Sequence, residues 1–324
     1  LFYFFAWINN SYAQENFVIG EYNVSEIIDG DSFRFENLDK LARLLGIDAE
    51  ETFKGKYAKE KSEDSKVNWV DKYNAAKIKE WKPSKVRSPF GYKTWLWTKE
   101  LFKNVKKVRL EIDGDKRTLD VYGRYLVYVI AFRNDGTEFS YNLECVKQGY
   151  SPYFCKYGYS ARFDKEFRDA EQYAINNKLG IWGNEEYCYP DYAERLEWWK
   201  IRAESIIHYQ QNYSNNENYF SYADGSNLDK LQDYVNDTVT IFGCSEIIMT
   251  DHNPYLVKIK YNSEIGIDIV IYSKNKSLLK ETGIGEQKNY YLYIRGKLRM
   301  YNGKNKQKGK YEIILSDKSQ VWQE

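Results

Sequence analysis

The sequence predicts an α+β protein, mostly β, built as two small barrels in tandem. Three observations predict it. Short segments of alternating polarity, bounded by Gly, Asn and Asp turns, fall in two clusters, one within residues 17–130 and one within 238–316. In the first cluster the helical patterns mostly follow the strands and do not alternate with them, which suits helices packed at one end of a barrel of about five strands. The chain has 324 residues and an ordinary hydrophobic fraction of 43%, enough for about two domains with cores of their own.

Residues 17–28 and 31–35 read as strands around a tight Asp29-Gly30 turn, and residues 41–47 as a third, mostly apolar strand. Residues 53–88 are a polar insertion with a mixed-charge run, expected to be a solvated loop. Residues 91–104 fit a helix with Trp95, Leu101 and Phe102 on one broad face. Strands follow at 108–112 and 125–130, then helices at 140–149 and 163–178, the last closed by Gly180. A boundary is expected near Asn184. Residues 185–227 read as a helical linker: an amphipathic helix over 191–211, then an Asn/Ser/Tyr-rich loop. Residues 228–324 give a short helix and five strands, at 238–248, 255–261, 266–272, 290–301 and 311–316.

Composition excludes several classes. A net charge of +1 gives no global case for a nucleic-acid partner, so any such case must be local. Most of the 31 tyrosines suit half-buried sheet faces. His208 and His252, the two histidines, lie far apart and outside every motif, which disfavours a histidine triad or a zinc hydrolase. Cys145, Cys155, Cys188 and Cys244 form no CxxC pair, so a structural zinc site is not expected. They are compatible with a disulfide or with buried thiols. Residues 1–14 join an apolar run, too short to span a bilayer, to a Ser11-Tyr12-Ala13 triplet. That pattern reads as the remnant of a signal peptide and predicts export to the periplasm or the medium.

The chemistry concentrates near the turns of the first unit. Asp29 and Asp31 flank Gly30, Asp48 ends the third strand, and Glu50 and Glu51 follow. Carboxylates and a loop carbonyl without His or Cys suit a hard cation such as calcium. Arg43, five residues before Asp48, and Arg124, just after the Tyr122-Gly123 turn, could clamp a phosphate that the carboxylates alone would repel. Each feature alone is ordinary: an Asp-Gly-Asp turn is usually a hairpin, and one strand arginine is usually a surface ion pair.

The conjunction resembles the staphylococcal nuclease family. It rests on Ile28-Asp29-Gly30-Asp31-Ser32-Phe33, on Arg43-Leu44-Leu45-Gly46-Ile47-Asp48-Ala49-Glu50-Glu51-Thr52, and on Asp120-Val121-Tyr122-Gly123-Arg124. Phe90-Gly91, Val146-Lys147-Gln148-Gly149-Tyr150, Ala170-Glu171 and Gly180-Ile181-Trp182 continue it, in order, across residues 18–182. The resemblance implies an OB-type barrel in 15–184 and a hydrolase that cuts DNA and RNA with Ca2+, leaving 3′-phosphate ends. Asp31, Asp48 and the Ala49 carbonyl would be calcium ligands, with Asp29 supporting them. Arg43 and Arg124 would bind the scissile phosphate, and Glu51 would act as general base. Tyr122 and Tyr157 would line a nucleotide pocket. Glu50 departs from the family pattern, which has proline there, and could compete for metal or repel substrate.

In the second unit, residues 290–301 alternate. Tyr291, Tyr293, Arg295, Lys297, Arg299 and Tyr301 share one face, which suits gripping a single strand as well as it suits a solvated sheet face. The lysines of 304–310 add positive charge. This unit resembles OB-fold nucleic-acid-binding domains through Thr238-Val239-Thr240-Ile241-Phe242-Gly243 and the 294–298 and 311–320 segments. That implies a second OB-like five-stranded barrel aiding binding of single-stranded or locally melted DNA or RNA. The alternative is a non-catalytic nucleic-acid-binding protein that retains the nuclease fold.

Overall fold

The computed structural model describes residues 17–78, 83–114, 117–285, 290–301 and 309–324. The proposed signal-peptide remnant at 1–14 and most of the 304–310 lysine segment lie outside the described residues. No described helix is long and apolar enough to cross a membrane.

The first unit is a sheet with helices packed on it. Its strands are β1 (Val18–Tyr22), β2 (Val24–Ile27), β3 (Ser32–Phe35), β4 (Ala42–Leu44), β5 (Val105–Glu111), β6 (Tyr125–Arg133) and β7 (Glu138–Ser140). They pair in the order β1-β5-β6-β4-β3-β2, with β7 added on β6. The expected count of five is corrected to seven. The first predicted strand breaks at Asn23 into β1 and β2, which lie at opposite ends of the order, so the sheet returns on itself. A short β7 is also added. β4 runs parallel to β6, with Arg43 opposite Leu126, and antiparallel to β3, with Arg43 opposite Ser32. The inner faces bring Phe33, Leu44, Val127 and Val129 into a core closed by Phe167 from a helix.

The helices are α1 (Ala58–Lys66), α2 (Trp69–Ile78), α3 (Pro89–Phe102), α4 (Tyr141–Lys147), α5 (Asp164–Asn176) and α6 (Tyr192–Asn212). α3 starts where Ser88 accepts a hydrogen bond from the Gly91 amide at 2.7 Å and Pro89 occupies the first turn. The insertion at 53–88 is corrected from a loop to two helices. Trp69 and Tyr73 bury themselves against Tyr189, and Trp69 Nε1 donates to the Cys188 carbonyl at 2.8 Å. Apolar burial at positions four apart outweighs the surrounding charge.

The second unit has two sheets. One holds β8 (Tyr219–Ser221), β9 (Thr238–Gly243), β13 (Leu292–Lys297) and β16 (Val321–Trp322) in the order β16-β13-β9-β8. The other holds β10 (Ser245–Met249), β11 (Tyr255–Lys260), β12 (Gly266–Ile271), β14 (Arg299–Tyr301) and β15 (Lys310–Ile314) in the order β10-β11-β12-β15-β14. Nine strands replace the expected five. Two long predicted strands bend from one sheet to the other, at Cys244 and at Leu298, and each is therefore two. β8 is a further correction, because it lies in the expected linker and pairs in parallel with β9.

α6 joins the units. Trp199 and Ala203 belong to the first core, whereas Ile206 and Tyr209 pack with Phe242, Tyr291 and Tyr293 of the second unit. All four cysteines are free thiols.

Candidate active site

One cavity of about 940 Å3 opens beside β4, and its lining includes Asp29, Asp31, Arg43, Asp48, Glu51, Tyr122, Arg124 and Tyr157. The β2–β3 turn supplies the first two. The Leu44 amide donates to the Asp31 carbonyl at 2.9 Å, which ties that turn to β4. The Asp31 amide donates to Asp29 Oδ1 at 3.2 Å, and Ser32 Oγ donates to Asp31 Oδ1 at 2.9 Å. Tyr141 Oη donates to the Gly30 carbonyl at 2.8 Å and fixes the turn from the helix side.

Arg43 stands between the two inner carboxylates. Its Nη1 pairs with Asp31, and its Nη2 lies 2.5 Å from Asp48 Oδ1. Burial works against the Arg43 charge, but Asp31 and Asp48 outweigh it and hold the guanidinium protonated above its usual range. Burial alone would raise the Asp48 pKa. Lys85 and Arg43 reverse that and draw it down to about 2. Burial, with the Asp31 and Glu51 carboxylates, pushes Asp29 up to about 7. Burial and the Asp31 charge also raise Glu51 above the usual carboxylate range.

The segment carrying Glu51 is held from several sides. The Asp48 amide donates to Ser151 Oγ at 2.8 Å, the Glu51 amide to Tyr189 Oη at 3.3 Å, and the Ser88 amide to the Glu51 carbonyl at 3.0 Å. Gly91 is needed at the start of α3, because a Cβ there would sit 2.2 Å from the Glu51 carbonyl oxygen. Arg124 is presented by a turn with Gly123 at φ +81°. Asp120 Oδ1 accepts the Tyr122 and Arg124 amides, both at 2.9 Å, and Asp120 Oδ2 accepts Arg124 Nε at 2.7 Å. Tyr122 is 81% exposed, with the Arg124 guanidinium 5.5 Å from its ring centre.

Several residues fall elsewhere. Ala49 is buried beside the turn, its Cβ 2.6 Å from where a Cβ on Gly30 would be. Tyr293 is corrected as a base-stacking residue: it is 2% exposed, packed between Trp322 and Phe242, with Tyr209 and Tyr213 of α6 also against it. The Tyr291 and Tyr293 end of the face expected to be open is covered by the helix. Arg295, Lys297 and Arg299 are exposed but do not line the cavity. Glu50 is fully buried and points away from it, accepting from the Tyr189 amide at 2.6 Å, Tyr192 Oη at 2.9 Å and Ser88 Oγ.

Sequence reasoning missed Lys85, whose Nζ lies 2.5 Å from Asp48 Oδ1. It comes from the end of the insertion, and nothing in its local sequence marks it. It also assigned no role to Asp120, the anchor of Arg124, although that residue stands inside the quoted motif.

The site is thus a cluster of oxygen donors and guanidinium groups on a curled β sheet, groups able to hold a cation and a phosphate side by side. Residues 42–184 match the family described as staphylococcal nuclease homologue, and the chain carries a domain of that family there, with a further β unit after it. The Asp29–Asp31 turn lies ahead of the matched range and is joined to it through the β3–β4 pairing. The chain is also 28% identical, over 185 residues, to an uncharacterized protein of Methanocaldococcus jannaschii, an alignment covering 56% of this chain and 81% of that one.

Proposed function

We propose that this protein is a calcium-dependent nuclease, hydrolysing single-stranded or locally melted DNA or RNA and leaving 3′-phosphate ends. The observation that carries the reading is the meeting of Asp31, Asp48, Glu51, Arg43 and Arg124 in one cavity of a nuclease-family domain. A further part of the reading is export of the mature chain.

The donor set fits a hard cation. Asp29, Asp31, Asp48 and Glu51 offer oxygen only, and burial together with the neighbouring carboxylates raises the pKa of Asp29 and Glu51. Among the described residues no three His, Cys, Asp or Glu side chains form a cage by themselves. In this reading two carboxylates, Asp31 and Asp48, would hold the ion with solvent, Asp29 would stand behind them, and the Ala49 carbonyl, next in the chain to Asp48, would be the further protein ligand. Calcium bound there would neutralise charge and polarise a phosphoryl oxygen.

The protein's own groups do the remainder. Glu51 accepts a proton from the attacking water at its carboxylate. Arg43 and Arg124 grip the non-bridging oxygens, each exchanging a carboxylate partner (Asp31 and Asp48 for Arg43, Asp120 for Arg124) for the phosphate. The Tyr122 and Arg124 amides, donating to Asp120 Oδ1, keep the Arg124 turn in place during that exchange.

Digestion of heat-denatured DNA by the full chain tests this. Acid-soluble nucleotides are expected with calcium and not with chelator, with 3′-phosphate ends on the products. Glu51→Gln and Arg124→Ala are each expected to lower kcat/KM by about a hundredfold to ten-thousandfold. Near-wild-type hydrolysis by either variant, or undiminished hydrolysis in chelator, overturns the proposal.

A further inference from the structure

Three cations meet where the two units join. Arg202, on α6, is fully buried, yet no carboxylate pairs with it among the described residues. Its Nε donates to the Lys156 carbonyl at 3.1 Å, its Nη2 lies 3.4 Å from Cys244 Sγ, and its Nη1 has no partner among the described residues. Lys156 Nζ sits 4.6 Å from the ring centre of Trp198 and 5.0 Å from that of Tyr157. Burial, reinforced by the Arg202 charge, pushes its pKa down to about 7. The Arg117 guanidinium lies 4.9 Å from the Tyr157 ring centre. Its Nη1 reaches across the seam to the Ala223 carbonyl at 3.3 Å, and its Nε is buried with no partner among the described residues.

Arg202 is fully buried, whereas Arg117 and Lys156 are half-buried and open to the cavity; buried charges in proteins are normally paired. Glu246 is one of the carboxylates that line the cavity and acts on Lys156 by its charge, but among the described residues it makes no salt bridge with any of the three. Arg117 and Lys156 line the same cavity as Asp31, Arg43 and Arg124, so an anion that enters the active site has a continuous path to them. Asp224 and Glu246 of the second unit wall that path on one side, and Trp198 of α6 on another. Positive charge set beside aromatic rings is what grips single strands.

We infer that Arg117 and Lys156 form a second phosphate subsite at the seam between the units, holding the phosphate of a neighbouring nucleotide on a single-stranded substrate. The inference rests on the nuclease reading above, and it assigns the second unit a definite part: it builds one wall of the subsite.

Binding of fluorescein-labelled single-stranded oligonucleotides to the full chain in chelator, read by anisotropy, tests it without turnover. The probes are a dinucleotide and a hexanucleotide. The wild type is expected to bind the hexanucleotide more tightly. Arg117→Ala/Lys156→Ala is expected to lose about tenfold on the hexanucleotide and little on the dinucleotide. The slope of log affinity against log salt should fall by about 0.7 for each phosphate contact removed. Arg117→Lys/Lys156→Arg, which keeps both charges, should recover most of the affinity, and matching thermal melts identify variants that remain folded. Equal losses on both probes, or an unchanged salt slope in a folded variant, overturns the subsite. A wild type that binds neither probe and releases no nucleotide with calcium overturns the nuclease reading instead.

Discussion

Glu50 shows how a single position can read one way in sequence and another in the fold. Standing where the family pattern has proline, it threatened the site with an extra carboxylate. In the structure it is fully buried and turned into the body, where it accepts from Ser88, the Tyr189 amide and Tyr192. Burial raises its pKa to about 7, with those three hydrogen bonds opposing the rise. Its effect on the chemistry is therefore positional, because Ser88 also binds the Glu51 carbonyl and Tyr189 the Glu51 amide. Removing the acceptor strands buried donors, each worth about 1–3 kcal/mol. Glu50→Ala is accordingly expected to cost about 3 kcal/mol or more in urea unfolding, whereas Glu50→Gln, which keeps an acceptor oxygen in place, should stay within about 1 kcal/mol of wild type. Equal, small costs for both would mean that Glu50 does not hold the segment.

Helices α1 and α2 make the insertion a packed part of the first unit. If 53–88 were a solvated loop, Trp69→Ala would change stability by no more than about 0.5 kcal/mol. As a packed element, Trp69 lies 5% exposed against Tyr73 and Tyr189, and its truncation is expected to cost about 3–5 kcal/mol in chemical denaturation. Hydrogen exchange over 58–78 should quicken in the same variant. Arg195 clamps the far side, donating to Tyr73 Oη at 2.6 Å and pairing with Asp191 at 2.8 Å. Lys85 comes to Asp48 from a position two residues before the Glu51–Arg87 bridge, which ties its segment to the body. The motifs of the candidate site were legible because turns and strand ends fix their residues locally. The insertion was not, since its signal was one pair of aromatics four apart among many charges, and its partner Tyr189 is more than a hundred residues away. The 290–301 alternation failed for a related reason. Period-two patterning says which residues share a face, but not that α6 covers the Tyr291 and Tyr293 end of it while Arg295, Lys297 and Arg299 stay in solvent.

For the whole molecule, the consequential feature is that α6 has no core of its own. Its first half completes the core of the nuclease-family unit through Trp199, stacked edge-on against Phe154 with ring centres 4.7 Å apart. Its second half completes the other unit through Tyr209, whose ring lies 4.7 Å from that of Phe242. Between the halves sits Arg202, bonded to Lys156 on one side and Cys244 on the other. Reading the helix as a linker missed this, because amphipathicity reveals a buried stripe but not that two different cores divide it. A rigid helix shared in this way couples the two units, since loosening either end exposes apolar surface in both. Thermal unfolding of the full chain should then be a single transition, with far-UV circular dichroism and tryptophan fluorescence coincident. Trp199→Ala and Tyr209→Ala, on opposite halves of the helix, should each lower that common midpoint by several degrees. Two separate transitions, with each substitution moving only one, would show that the units fold independently. The wall that the second unit adds to the cavity would then depend on a contact that opens well below the unfolding of the first unit, and under the proposed function the affinity for long single strands should fall with it on warming.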